Sequence, residues 1–116
     1  MSGSVDIAYD GSLQAPIHGH AVVTTTSSPL AVQGLATDRI TRGILVRAPG
    51  PNDLGGGNTA IVFVGGPQVT ADNNVGTGGI PLPPGTSITI PCRDPNQIYV
   101  VAPSGATTQD LAWMGV

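Results

Sequence analysis

The sequence predicts an all-β fold, a single domain of two packed sheets, and three observations carry that expectation. The 116 residues include 17 glycines and 11 prolines, both costly in helix interiors. Lysine and glutamate, the usual solvent-facing residues of amphipathic helices, do not occur: the four cations are all arginine and the seven anions all aspartate. What remains is rich in Val, Ile and Thr, gathered into short runs that turn residues separate about every ten positions, which gives roughly seven or eight strands. With 40% of its residues apolar, a chain of this size buries roughly 65% of its unfolded surface, enough to fold alone.

Residues 1–19 read as an extended N-terminal arm, ahead of a domain over 20–116. The arm carries Gly, Ser and Asp with scattered apolar residues (Val5, Ile7, Tyr9, Leu13, Ile17), and Pro16 closes its main stretch. The first strand is expected in His20–Thr26, where β-branched residues run together, and a short second one in Pro29–Val32. Ile40–Ala48 alternates, so Ile44, Val46 and Ala48 face inward while Arg47 faces water. Pro49–Asn58 is almost entirely turn-forming and reads as a surface hairpin loop, with Gly55, Gly56 and Gly57 at its tip. Thr59–Val64 is apolar on both faces except at its start, the pattern of a covered central strand with Phe63 in the core. A brief segment at Gln68–Thr70 leads into a second polar loop, Ala71–Gly79. The prolines of Ile80–Gly85 force an extended path that cannot sit in mid-sheet. Thr86–Ile90, Gln97–Ala102 and Gln109–Met114 complete the strands.

The chemistry-bearing residues are few. A formal net charge of −3 with scattered arginines supplies no basic stripe for phosphates, which argues against nucleic-acid binding. No apolar run approaches the ~20 residues of a membrane span, and the N-terminus has neither the basic nor the apolar region of a secretory signal, so synthesis in a cytoplasm is expected. Cys92 is the single cysteine and reads as a buried, inert thiol. His18 and His20, two positions apart on an extended segment, share a face; they could share a metal with outside ligands such as Asp6, Asp10 or a second subunit, or face each other across an oligomer axis, and packing of the arm against a neighbour is the simpler account. Asp72, Asn74 and Gly76 have part of a calcium-loop spacing, but the motif's Glu is missing. The three glycines at 55–57 precede no Lys and no helix, so they form no phosphate loop. No serine has a nearby histidine outside the arm, so no nucleophile is indicated. The chain is accordingly read as a non-enzyme with no cofactor and no resident metal. Tyr99 and Trp113 are expected in the core or a subunit interface, the alternative being a stacking platform for sugars.

From Ile40 onward the order of segments is ITRGILVRA, a Gly/Asn-rich turn, NTAIVFVGG with VTADN, then PLPPGTSITI, IYVVAPSGATT and a closing apolar strand. That order resembles small virion proteins encoded by tailed phages over roughly residues 21 to 116; the arm before His20 has no counterpart in it. The resemblance implies a jelly-roll-like sandwich displayed in many copies on a capsid or tail. The leading expectation is a capsid decoration or cement protein, favoured as a homotrimer, that is assembled in the host cytoplasm and binds major capsid protein on the capsid exterior. Val5, Ile7, Tyr9, Leu13, Ile17, His18 and His20 of the arm are the expected partner contacts, together with one end of loops. The alternatives are a fibre, spike or tail protein whose loops touch the host surface, and a carbohydrate-binding module.

Overall fold

The computed structural model describes residues 17–31, 40, 42–72 and 76–116. The described residues form eight strands: β1 (His18–Val23), β2 (Ser28–Pro29), β3 (Ile44–Arg47), β4 (Val62–Gly65), β5 (Ile80–Leu82), β6 (Ser87–Ile90), β7 (Tyr99–Val101) and β8 (Gln109–Gly115). Among the described residues one 3-10 turn, Pro95–Gln97, is capped by the Asp94 carboxylate, which accepts from the Asn96 N–H at 2.9 Å. The described residues thus form an all-β protein of two four-stranded antiparallel sheets, ordered β1-β8-β3-β6 and β2-β7-β4-β5.

The winding is regular. β1 pairs with β8, β2 with β7, β3 with β6 and β4 with β5, so the first half of the chain is laddered against the second in reverse order. Among the described strands only β4 and β5 are consecutive within one sheet; each other consecutive pair belongs to different sheets. This corrects the hairpin reading of Pro49–Asn58, because that loop carries the chain from β3 in the first sheet to β4 in the second. Local turn chemistry specifies a reversal; which sheet receives the next strand depends on long-range pairing.

Period-two alternation fills the space between the sheets. Val23, Ile44, Val46, Val62, Val64, Val100 and Leu111 are essentially sealed from solvent, joined by Ile40, Leu82, Ile98 and Trp113. As expected, Ile44, Val46 and Ala48 point inward and Arg47 outward. The Pro-rich strand β5 lies at an edge, where a missing N–H costs no ladder bond.

Several expectations are corrected. Phe63 is half-buried rather than in the core: Val62 and Val64 take the inward positions of β4, so Phe63 faces outward, beside Val101 and Pro81. Strand β4 begins at Val62 rather than at Thr59, whose N–H is used otherwise, as described below. Of Gln68–Thr70 only Thr70 pairs, in a single bridge to Gly78, and Val69 folds back over Gly65 on the outward side of the second sheet. The segment predicted at Pro29–Val32 is displaced toward Ser28–Pro29, and Val32 lies outside the described residues. Cys92 is half-buried, its thiol 3.3 Å from the Asp94 carbonyl. β1 includes His18 and Gly19, which the composition of the N-terminus places in the arm; pairing with β8 draws them into the sheet.

Candidate functional site

The first sheet's outward face and the loops at one end of the sandwich gather the exposed chemistry. On the outward face the register aligns His18 with Met114 and Leu45, then His20 with Ala112 and Arg47, then Val22 with Asp110. Val22 is 56% exposed and Met114 36%. The exposed apolar side chains Val22 and Met114 on this face are separated by the contact between His20 and Asp110.

Of the expected arm contacts, Val5, Ile7, Tyr9 and Leu13 lie outside the described residues. Ile17 is half-buried against the core, and its carbonyl accepts from the Gly115 N–H at 2.8 Å. His18 and His20 are both exposed on the same side of β1, as the two-residue spacing requires. His20 Nε2 lies 3.4 Å from Asp110 Oδ1 on the neighbouring strand. Among the described residues no three His, Cys, Asp or Glu side chains converge on a common point. Asn74 of the calcium-like loop lies outside the described residues, and the Asp72 carboxylate accepts from Thr70 Oγ1 at 2.8 Å.

The loop Pro49–Asn58 is anchored at both ends. Arg47 Nη2 donates to both carboxylate oxygens of Asp53 at 3.1 Å, and Nη1 donates to the Gly85 carbonyl at 3.1 Å. Asp53 also accepts from the Gly50 N–H at 3.0 Å. That backbone donor first, and the Arg47 guanidinium second, hold the Asp53 carboxyl below its ordinary value. Gly55 and Gly56 have positive φ, which lets the loop reverse tightly. Beside them Leu54 stands fully exposed at the loop tip.

At the far end of the loop, two buried amides replace missing strand partners. Antiparallel register places Pro49 opposite Asp110, but proline has no N–H to give. The Asn58 side chain supplies the pair instead: Oδ1 accepts from the Asp110 N–H and Nδ2 donates to the Asp110 carbonyl, each at 2.8 Å. Gln109, 1% exposed, accepts from the N–H groups of Thr59 at 2.7 Å and Ala60 at 2.9 Å through Oε1. Its Nε2 donates to the Thr107 carbonyl at 2.9 Å. Nothing in the sequence singles out Leu54, Asn58 or Gln109, which read there as ordinary loop and strand-end residues.

The remaining concavities carry little chemistry. A cleft of about 520 Å³ beside β4 and β5 is lined by Val, Gly, Pro, Gln, Thr and Ile, with no titratable side chain. A groove of about 570 Å³ runs between the edges β1 and β2, lined by His18 and His20 together with Gly19, Ala21, Leu30 and Trp113. Trp113 is 5% exposed and its indole lies against Gly19, so it presents no ring face for stacking a sugar. Comparison with known proteins finds no matching family model, curated relative or solved structure. The described residues define a two-sheet antiparallel β protein with exposed apolar side chains on one sheet face and an anchored loop end.

Proposed function

We propose that this chain is a structural virion protein of a tailed phage, a decoration or cement protein that coats the capsid exterior and acts by adhesion alone. The observation that carries the reading is how the domain uses its polar groups. Arg47, Asp53, Asn58 and Gln109 fix loops and strand ends, while exposed apolar residues stand on a loop tip and a sheet face. Rigid presentation of apolar anchors is what a surface that binds the same partner many times requires, since ordering cost is met before binding. The reversed ladder of β1 through β8 supports a jelly-roll-like sandwich, in keeping with the resemblance to phage virion proteins.

In this reading the partner is major capsid protein. Leu54 and the surrounding loop end touch the shell, and the arm, with Ile17, His18 and His20, ties neighbouring subunits together. Repetition over a symmetric lattice raises total affinity through effective concentration, so each contact can be weak. The test is co-sedimentation of purified protein with expanded and with immature capsids. Binding to expanded shells alone, at hundreds of copies per particle and reduced by Leu54→Asp, is the expected result. Absence from both shells, or only a few copies per virion, would overturn it.

A further inference from the structure

We propose that residues Val5–Asp10 of one copy add as a further strand to the open edge of β1 in a second copy, closing the β1–β2 groove. These contacts between copies do not depend on what the assembly binds. Three observations carry the proposal.

The first is the edge itself. The Gly115 N–H bonds the Ile17 carbonyl, so by antiparallel alternation Gly19, Ala21 and Val23 also turn their backbone groups toward β8. Those of His18, His20 and Val22 face the other way, where the described residues provide no strand. Among the four sheet edges, β5 carries a proline, β2 is two residues long with a proline, and β6 is four residues long and ends at Pro91. Six-residue β1 has no proline, no lysine and no bulge, none of the devices that discourage an added strand.

The second is the sequence of the candidate strand. In Val5–Asp10 the apolar residues Val5, Ile7 and Tyr9 alternate strictly with Asp6, Ala8 and Asp10. Laid along β1, its apolar face continues the side of Gly19 and Ala21 and covers the groove above Trp113. Its other face meets the histidines. With Asp6, Ala8 and Asp10 aligned against His18, His20 and Val22, an aspartate falls directly opposite His18 in either strand direction. His20, which already has Asp110, falls opposite Ala8. The charge pattern thus matches the site it would occupy.

The third is reach. Residues 1–16 can span roughly 50 Å when extended, enough to leave one domain and lie along a neighbour. Pro16 biases Ala15 away from the helical region, which disfavours a tight reversal at the base of β1. The occupant assigned is a second copy, and a monomeric wild type is the outcome that would place the segment on its own edge. Main-chain bonds supply the affinity and the groove supplies the register.

The test is sedimentation of full-length protein at micromolar concentration, with far-UV circular dichroism as the check on folding. Ile7→Asp charges the donated face. His20→Pro removes an N–H that points to the open edge and so costs β1 no bond to β8. The wild type is expected to sediment as an oligomer, and both variants as monomers with an unchanged β spectrum. Should His20→Pro lose its β spectrum, deletion of residues 2–10 decides in its place. A monomeric wild type, or an oligomer that survives either Ile7→Asp or removal of the segment, would overturn the proposal.

Discussion

Replacing Gln109 by methionine tests how the loop Pro49–Asn58 is joined to the sheet. The two side chains are close in length and volume, so the substitution leaves packing nearly intact and removes only the amide. Oε1 is the acceptor for the N–H groups of Thr59 and Ala60, at 2.7 and 2.9 Å. A buried donor left without a partner costs about 1–3 kcal/mol. Two such donors, partly relieved by water at the half-exposed loop, give an expected loss of about 3 kcal/mol, a large share of the roughly 5–15 kcal/mol that holds a typical domain. Urea unfolding reads it directly. With a slope of about 1.5 kcal/mol per molar, the midpoint should fall by roughly 2 M with the slope unchanged. A loss below about 0.5 kcal/mol, the range of neutral surface changes, would refute the claim that this amide bears the junction.

Three further outcomes are expected. Asn58→Ala should destabilise by about 1–3 kcal/mol, and the double variant with Gln109→Met should be less than additive because both amides secure the same junction, which a double-mutant cycle in urea would measure. Gly19→Ala should cost about 1–3 kcal/mol and perturb tryptophan fluorescence, since an added Cβ would sit 2.7 Å from the Trp113 indole. Asp53 is held below its ordinary value, so its contribution is fully present above the unfolded carboxylate range and is lost as the pH falls through the lowered folded value. An NMR titration of its carboxyl carbon should show that depressed midpoint, and Arg47→Gln should raise it part of the way back, the Gly50 N–H remaining.

Fold class was legible because it rests on local facts. The alternation of Ile44, Val46 and Ala48 around Arg47, and the prolines of Ile80–Gly85, each state which face is wet and which strand is an edge. What was not legible depends on residues far apart in the chain. The Pro49–Asn58 loop is composed like any turn, and nothing in it records that β4 belongs to the other sheet. Phe63 looks like core because both faces of its strand are apolar; only the sheet pairing decides which face is inside. Asn58 and Gln109 read as polar punctuation, and their partners lie some fifty positions away in sequence. The two-residue spacing of His18 and His20 is enough to put them on one face, but the nearby carboxylate, Asp110, comes from the last strand and leaves no trace near the arm.

If the domain is a rigid adhesive unit, its exposed loop end and sheet face coat a shell in many copies. Stoichiometry reads this without intermediaries: full-length protein bound to expanded capsids, counted by quantitative mass spectrometry of washed particles. Saturation is expected at hundreds of copies per shell, with immature shells left bare. A plateau at a dozen copies or fewer, or equal binding to both shells, would be incompatible with a coat protein of this kind.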